Sequence, residues 1–545
     1  MNAPDAGPCP QGRERVRKCE QNSHVHQIER RRFLRTTGML AWAGLVKGRA
    51  ASTFFEGRAK SATSKRVVAL EPDLNGIHKW DDSNGDTWDP FWADDDRLYS
   101  FNCDGRGFGK VQENLAFNRF DGETLPSLTG VQINPMSEYG AAGQRGKDHA
   151  TWKACGQECI DGVFYSFVSR NVYGNESGDA LMRQTAFNSS LIKSIDRGLT
   201  WQRTAEENYA RPMWPGPKFG APFFVHYGKN GGNVDRNGAL EYVYAVSTNG
   251  FWNDGDSLIL GRVRRKVLPK LDVRDWEYFT GGDGQEPGGW SKHIDSAVPI
   301  LKRLAKCGQA PICYVRALGI YLLISWYNPS VLTKWFEPSE MCYDFYQAEH
   351  PWGPWSLIRS ISDTFLARGS HMYGPALCSK FQESNGSEVR LAMFTSGCQF
   401  EDKPSGVYKA WTIPIVLRTE PLPPFEIWAA GSAAVQFSGE WTTIASSPDP
   451  HAEIRESKKA GDSVSLAFLG TGIEYVARKA EGYGEVIVDL DGTAEQRIRL
   501  GIRNFPTLSD VSVFRKYGLK RTRHTLKVVN AGPQPITVQY FRIYH

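Results

Sequence analysis

The chain has 545 residues, too long for a single hydrophobic core, and its length predicts two or three domains. With 12% aromatic residues, 54 Gly and 30 Pro, the composition is typical of a turn-rich β protein rather than a helical one. The first 70 residues hold 14 Lys+Arg against 5 Asp+Glu, so of the net charge of +5 they contribute +9 and leave −4 for the rest. A nearly neutral body without a basic stripe argues against a nucleic-acid partner.

The basic N-terminal segment predicts an export signal. The run RRRFLR at positions 30–35 resembles a twin-arginine signal, and an uncharged stretch from Thr36 to Val46 follows it. This stretch is too short to stay in a bilayer as an anchor, so no stable membrane insertion is expected after cleavage. We expect residues 1–60 to be a signal and a disordered segment, cleaved between Ala50 and Ala62, and the protein to be periplasmic or secreted. A basic amphipathic helix of the folded protein is the alternative.

Eight cysteines follow this signal: Cys103, Cys155, Cys159, Cys307, Cys313, Cys342, Cys378 and Cys398. An even count in an exported chain permits disulfides, but a twin-arginine substrate folds in the cytoplasm, where disulfides are rare. We therefore expect at most one or two. The Cys155–Cys159 pair has no second pair at zinc-site spacing, so no zinc site is predicted.

A strand-rich unit recurs along residues 70–419. Its innermost strands are predicted from five similar stretches: DPFW, CGQEC, GAPFF, QAPIC and GPALC. Repeated short strands in units of roughly 60–80 residues are typical of propeller blades. The sequence therefore predicts an all-β chain with a five-bladed β-propeller.

One short motif supports this architecture independently. The spacing of Ser194, Asp196, Gly198 and Trp201 fits the Asp-box of sialidase-like propellers. In that motif the Asp caps a hairpin between outer strands of a blade and the Trp packs between blades. Asp196 is therefore predicted to be structural and is not a candidate catalytic residue.

A second domain is predicted after the proline-rich residues 421–424. Residues 425–545 alternate between apolar and polar positions as the strands of a β-sandwich do. The order of strands and glycine turns resembles the jelly-roll carbohydrate-binding modules of secreted glycan-active enzymes. A sugar-binding role and a stabilising cap for the propeller are both open.

The stretch GDTWDPFWADDDRLYSFNCDGRGFG predicts a hairpin whose turn is the acidic run 94–96. Asp86 and Asp104 each lie nine residues from Asp95, so an in-register hairpin would place them opposite each other, with Cβ atoms about 4.5–5.5 Å apart. Like charges so close are unfavourable unless a cation, a shared proton or a ligand compensates them. The alternative is local: Asp86 caps a strand and Asp104 forms a turn with Gly105.

In a propeller this end of the hairpin opens into the central funnel. Paired carboxylates there suit glycoside hydrolysis, in which one carboxylate activates water or attacks and the other protonates the leaving oxygen. Trp88 and Phe108 are predicted to be aromatic platforms for sugar rings.

The same stretch, together with CIDGVFYSFVSRN, APFFVHYGKN and HPWGPWSLI, resembles a known family over about residues 70–419. The family is the secreted five-bladed propellers grouped as domain of unknown function 4185, partly reclassified as glycoside hydrolases. The resemblance implies an activity like that of bacterial endo-D-arabinanases, with essential acids at the positions matching Asp86 and Asp104.

Other residues depart from that pattern or extend it. Asp89, before Pro90, is an additional candidate acid. Candidates for a more distant third acid are Glu241, Asp256, Asp344 and Glu349. His371 and Tyr373 begin the fifth inner strand and are predicted to contact substrate. His371 is also a candidate ligand for a structural calcium ion, or else a hydrogen-bonded structural histidine; no other cofactor is expected.

The sequence therefore predicts an exported glycoside hydrolase, most simply a monomer, acting on a furanose-containing or related polysaccharide or oligosaccharide. A non-catalytic glycan-binding propeller is the first alternative. The second is a polysaccharide lyase with Tyr373 or His149 as base, although a nearly neutral body does not favour an acidic substrate.

Overall fold

The computed structural model describes residues 66–284, 289–329, 341–362, 372–397, 408–444, 453–503 and 507–545, which all fall within one unit, Lys60–His545. Strands dominate these residues, and the predicted fold class, a five-bladed β-propeller followed by a jelly-roll β-sandwich, is confirmed. The predicted export signal lies outside the described residues.

The described residues between Ala69 and Arg418 form five antiparallel sheets, of which the third and fourth are joined into one ten-stranded sheet by a parallel pairing. The chain begins with β1 (Ala69–Pro72) and β2 (His78–Lys79). The first sheet contains β3 (Asn84–Asp86), β4 (Phe91–Trp92), β5 (Leu98–Gly107), β6 (Glu113–Asp121) and β7 (Thr129–Asn134). The second contains β8 (Thr151–Ile160), β9 (Val163–Val172) and β10 (Thr185–Ser194).

The third sheet begins with β11 (Pro222–His226), and a small separate hairpin of β12 (Val234–Asp235) and β13 (Gly238–Ala239) follows. It continues with β14 (Tyr242–Thr248), β15 (Gly255–Arg264), β16 (Trp276–Phe279), β17 (Trp290–Ser291) and β18 (Leu301–Cys307). The fourth contains β19 (Ile312–Val315), β20 (Ile320–Tyr327), β21 (Cys342–Ala348) and β22 (Ser356–Ser362). The fifth contains β23 (Met372–Asn385), β24 (Glu388–Gly397) and β25 (Trp411–Arg418).

The innermost strands form a closed ring. In the order β4, β8, β11, β19 and β23 each packs against the next, and β23 returns to β4. Strands β11 and β19 even pair in parallel, with Val225 opposite Ile312. The first strand closes the last sheet, because β1 pairs antiparallel with β25, Ala69 opposite Arg418. These inner strands contain or adjoin the five stretches predicted from the sequence.

Helical turns connect the strands at the propeller surface. The one α-helix among the described residues, α1 (Ala205–Ala210), starts at a capping box formed by Thr204 and Glu207. Short 3₁₀ helices occur at Leu74–Gly76, Leu125–Ser127, Ser137–Tyr139, Gly174–Glu176, Lys229–Gly231, Arg265–Lys270, Val273–Asp275 and Ile294–Ser296.

The second domain begins at Phe425 and forms two facing sheets. Its strands are β26 (Phe425–Ala429), β27 (Val435–Ser438), β28 (Thr442–Ile444), β29 (Ile454–Ser457), β30 (Ser463–Lys479), β31 (Glu485–Leu490), β32 (Thr493–Arg499), β33 (Leu508–Asn530), β34 (Ile536–Val538) and β35 (Tyr540–Tyr544). Strands β28, β29 and β34 form one sheet and the others form the second. The sandwich contacts the propeller at Asn75, whose Nδ2 donates to the carbonyl of Val513 at 3.1 Å.

The turn predicted to be an Asp-box follows β10 and ends where Gln202 forms a β-bridge with Lys193. Asp196 Oδ1 accepts from the backbone N–H of Thr200 at 2.9 Å, and Oδ2 accepts from its hydroxyl at 2.6 Å. The backbone N–H of Gly198 donates to Ser194 Oγ at 2.8 Å. Both Asp196 oxygens thus act within the turn.

The aromatic residue of the same motif joins two blades. The Trp201 ring lies 5.2 Å from the rings of Phe101 and Phe117, which belong to the first sheet. Phe91, on the innermost strand of the first sheet, packs edge-on against Phe164 of the second at 4.9 Å. Aromatic contacts therefore join the first and second blades.

Replacing Asp196 by Ala removes the acceptors of the turn, and we expect a loss of about 0.5–2 kcal/mol in the free energy of unfolding, as for the loss of a side-chain cap. Urea titration of the variant beside the exposed-residue control Asp82→Ala measures this loss. An unchanged free energy of unfolding in Asp196→Ala would contradict the structural role.

The seven cysteines of the described residues are all free thiols: Cys103, Cys155, Cys159, Cys307, Cys313, Cys342 and Cys378. Cys398 lies outside the described residues. Within the described ranges, no helix is long and apolar enough to cross a bilayer.

Candidate active site

The hairpin around Asp95 has the predicted register only near its turn. Phe91 lies opposite Tyr99, as a hairpin centred on Asp95 requires, but Asp86 lies opposite Cys103 rather than opposite Asp104. The register shifts between Asn84 and Asp86. Asp104 has a left-handed backbone conformation, φ 48°, which Asp tolerates better than most residues. The prediction of direct opposition is therefore wrong by one residue, although the two side chains are still neighbours.

Strand ends from several blades bring further side chains to the same end of the propeller. Inner strands start at this end and second strands finish at it. Asp86 ends β3, and Asp104 lies near the end of β5. The other contributing residues are Lys153 near the start of β8, Tyr173 just after β9, Tyr373 near the start of β23 and Tyr408 just before β25.

Asp86 is almost fully buried, with 8% of its surface exposed. Tyr373 donates its hydroxyl hydrogen to Oδ2, and Thr87 donates to Oδ1 at 3.0 Å. Burial raises the pKa of Asp86, and the charge of Asp104 raises it further. Lys153 and the two hydroxyl donors act in the opposite direction without cancelling the rise in pKa. Asp86 thus retains a proton more readily than an ordinary aspartate.

Asp104 uses its two carboxylate oxygens differently. Oδ2 forms an ion pair with Lys153 and accepts from the Tyr173 hydroxyl at 3.4 Å. Oδ1 is buried and has no hydrogen-bond partner among the described residues. The Tyr408 hydroxyl donates to the Asp104 carbonyl oxygen at 3.2 Å, which fixes the backbone beside the carboxylate. One oxygen is therefore anchored, and the other is a buried acceptor without a partner among the described residues.

Lys153 is the cation of the cluster, and its side chain is only 4% exposed. Burial by itself lowers the pKa of Lys153, but Asp104, Tyr173 and Asp86 outweigh burial and raise that pKa well above its usual value. The amine is therefore protonated at neutral pH. The cluster combines a proton-retaining carboxyl, an ion-paired carboxylate and a permanent cation.

Such an asymmetric pair of carboxyls can carry out acid–base chemistry. Two carboxyls whose environments give them different pKa values can act as acid and base at the same pH. Asp86 has the environment of a proton donor, and Asp104 that of a carboxylate. The same arrangement can also bind sugar hydroxyls without catalysis.

The predicted aromatic platforms are not where a sugar could stack on them. Trp88 is 0% exposed and donates its indole N–H to the carbonyl of Gly85 at 2.9 Å. Phe108 is half-buried and packs edge-on against Phe120 at 5.2 Å. Both rings belong to the core between the first and fifth blades. The prediction fails because these side chains point into the core between two blades rather than into the central funnel.

Asp89 is engaged in a separate buried cluster on three inner strands. His226 Nε2 lies 3.1 Å from Asp89 Oδ1, and His226 Nδ1 lies 2.9 Å from Glu158 Oε2. The backbone N–H of Gln157 donates to the second oxygen of Asp89 at 3.2 Å. With Asp89 only 1% exposed, its carboxylate has no surface for a substrate. The geometry therefore contradicts the role of additional acid and indicates a structural one.

Burial alone would lower the pKa of His226, but the two neighbouring carboxylates outweigh it and raise the pKa to about 10. His226 is therefore an imidazolium held between two carboxylates. It joins the inner strands of the first three blades through charge-assisted hydrogen bonds.

The candidates for a distant third acid each have a partner of their own. Asp256 pairs with Arg183 at 2.8 Å, and the buried Asp344 accepts from the hydroxyl of Tyr346 at 3.1 Å. The remaining ion pairs are Glu241 with Arg264 at 3.3 Å and Glu349 with Arg236 at 2.9 Å. The contacts of these four carboxylates do not single out one as a third acid.

His371 lies outside the described residues, so calcium binding by His371 stays a prediction. Within the described ranges, no group of three or more His, Cys, Asp or Glu side chains is arranged to hold a metal ion. Both ring nitrogens of His226 face carboxylates, which leaves neither nitrogen for a metal. His149 is exposed and has a left-handed backbone, φ 60°.

Sequence reasoning missed Lys153, Tyr173 and Tyr408 at the carboxylate pair, and the partners of Asp89. A usable signal existed for Lys153: it is the lone charged residue in the first half of the inner strand TWKACGQECI, which is buried throughout. A lysine at a buried strand position requires a carboxylate partner.

No protein-family model and no curated protein matches the chain. The solved structures with some likeness include an exo-β-1,3-galactanase from Phanerochaete chrysosporium with galactose, at 10% identity over 87% of this chain and 100% of that chain, TM-score 0.37. A GH43 protein from Bacillus licheniformis is 10% identical over 86% of this chain and 100% of that chain, with a TM-score of 0.35. An α-L-arabinofuranosidase from Podospora anserina in complex with cellotriose is 10% identical over 67% of this chain and 94% of that chain, with a TM-score of 0.32. These neighbours are glycoside hydrolases, but TM-scores below 0.5 carry no argument for this chain.

Proposed function

We propose that the protein is a glycoside hydrolase whose acid–base pair is Asp86 and Asp104. The observation that carries this proposal is the asymmetry of the pair: a buried Asp86 with a raised pKa beside an Asp104 held by a buried lysine. A general acid of raised pKa paired with an ionised carboxylate is the arrangement that glycoside hydrolysis requires.

In the proposed reaction Asp86 gives its proton to the glycosidic oxygen as the bond to the anomeric carbon breaks. Oδ1 of Asp104 either takes a proton from the attacking water or attacks the anomeric carbon itself. Oδ2 stays bound to Lys153 and Tyr173, so the reacting oxygen is held in one orientation. Preorganisation of this kind lowers the barrier because little reordering is needed during reaction.

For the substrate we propose a furanose-containing or related polysaccharide. The support is the resemblance of the first-blade stretch to propellers that include endo-D-arabinanases. The exported location and the sugar-binding role of the sandwich are proposals on the same footing, and so is the predicted calcium ion.

A panel of arabinan, galactan and other plant or bacterial glycans tests the proposal. Release of reducing ends from one of them supports hydrolysis and names the substrate class. Glycan binding without release would make the carboxylate pair a binding site and overturn the proposal. Release of an unsaturated uronate, detected by its ultraviolet absorbance, would indicate a lyase instead.

Tyr373 gives a finer test of the acid. Its hydroxyl hydrogen bond favours the ionised form of Asp86. Tyr373→Phe removes that bond, so the pKa of Asp86 rises and the alkaline limb of the kcat/KM profile moves to higher pH. Tyr209→Phe, an exposed tyrosine, is the matched control. An unchanged alkaline limb in folded Tyr373→Phe would contradict the assignment of Asp86 as the acid.

A further inference from the structure

Lys153 is placed where it can decide which of the two carboxyls carries a proton. It lies on the innermost strand of the second blade, and its amine forms an ion pair with Asp104 of the first blade. Its side chain is 4% exposed, so solvent and salt screen this pair far less than a surface pair. An ammonium group in this position acts on both carboxyls at close range.

Among the described residues, the groups around Lys153 come from three blades. Those that face its amine are Asp104, Asp86, Tyr173 and Cys103. Tyr373 binds Asp86, and Tyr408 binds the backbone of Asp104. With one cation and two carboxyls in a buried setting, the electrically neutral state has a single proton on the carboxyl pair. Because Asp104 is the one carboxyl among the described residues that the amine contacts directly, the proton is expected on Asp86.

The ion pair leaves one oxygen of Asp104, Oδ1, without a hydrogen-bond partner among the described residues. Lys153 and Tyr173 both engage Oδ2, whereas Oδ1 has no partner among the described residues despite being buried. A purely structural ion pair would gain from satisfying both oxygens, since an unsatisfied buried acceptor costs about 1–3 kcal/mol. The one-sided contact therefore favours a functional interpretation of Lys153.

We propose that Lys153 is a positioning residue that holds Asp104 ionised through Oδ2, keeps Oδ1 free to react, and thereby leaves the proton of the pair on Asp86. This inference rests on the proposed hydrolase function. It adds to that function the group that sets the roles of the two acids.

The first test is the pH profile of kcat/KM on the glycan that wild type hydrolyses. In Lys153→Met, Asp104 loses its cation and becomes harder to ionise, so the acidic limb moves up by about 1–3 pH units. Lys153→Arg keeps a cation, so its acidic limb stays near that of wild type. The longer side chain and planar guanidinium group of arginine are expected to lower kcat. Lys218→Met, which removes an exposed ion pair with Asp295, is the matched control and leaves the profile unchanged.

Melting temperatures establish that each variant is folded, and Lys153→Gln replaces Lys153→Met if methionine prevents folding. A folded, neutral Lys153 variant with a lower kcat at every pH but an unmoved acidic limb would overturn the inference and leave Lys153 a structural residue. A limb that moves equally in Lys153→Arg would overturn it as well, because charge would then not be the cause.

A second readout needs no activity and separates the two proposals. Infrared titration of protein labelled with ¹³C-aspartate compares D86N with D86N/D104N, so that the difference reports Asp104 alone. When Lys153→Met is added to both of these variants, the titration midpoint of Asp104 should rise by about 1–3 pH units. When Lys153→Arg is added instead, the midpoint should not move. If wild type hydrolyses no glycan, the proposed function fails, but this titration still decides whether Lys153 controls Asp104. An unmoved titration would overturn the inference.

Discussion

Replacing either Asp86 or Asp104 by Asn is expected to lower kcat about 10²–10⁴-fold while the protein stays folded. In Asp86→Asn the amide cannot supply a proton to the leaving oxygen. In Asp104→Asn the free oxygen is no longer a carboxylate and can neither activate water nor attack carbon. Steady-state hydrolysis of the glycan identified by the panel measures both losses.

The two variants should also differ in their pH dependence. Wild type should lose activity at alkaline pH as Asp86, whose pKa is raised, gives up its proton. Residual activity of Asp86→Asn should lack this alkaline limb, whereas that of Asp104→Asn should retain it. The exposed control Asp82→Asn should match wild type throughout. If both folded variants keep wild-type kcat, the pair is not catalytic.

Replacing His226 by Leu is expected to cost about 3–5 kcal/mol in the free energy of unfolding, because Asp89 and Glu158 are then buried without a cation. All three residues of the cluster are at most 1% exposed. His293→Leu, which alters an exposed histidine, should change stability by less than about 0.5 kcal/mol. Urea titration at neutral pH compares the two variants.

Two further results distinguish an ion-pair effect from a simple loss of packing. Adding Asp89→Asn and Glu158→Gln to His226→Leu should recover part of the lost stability, since the unpaired charges are then gone. The pKa of His226 is raised from 6.5 to about 10, so its contribution is complete below pH 6.5 and is lost as pH rises to about 10. Wild-type stability should show this decline and His226→Leu should not. Equal declines would contradict a charged His226.

The inner strands and the turn from Ser194 to Trp201 were predictable because their signals are local. A stretch with Pro or Cys followed by an aromatic strand marks each inner strand. The spacing of residues from Ser194 to Trp201 predicts the turn after β10 without knowledge of the rest of the chain. The proximity of Asp86 and Asp104 followed from symmetric spacing about one turn. The one-residue error arose at Asp104, because the sequence pattern does not predict a left-handed backbone at a residue other than Gly.

The environment of the pair was not predictable in the same way. Lys153, Tyr173 and Tyr373 come from other blades, and only the ring closure brings them to Asp86 and Asp104. Such long-range convergence depends on the order and rotation of the blades, which spacing within one hairpin does not contain. The Trp88 error has a related cause, since the choice between the funnel and the space between blades depends on the neighbouring blade.

The central claim is that Asp86 and Asp104 work as one catalytic pair, and kcat of the double variant D86N/D104N tests it most directly. Residues that act together lose their effect together, so the double variant should lie within about tenfold of the slower single variant. Losses that multiply would mean that the two residues act independently. Wild-type kcat in the folded double variant would remove both from the reaction.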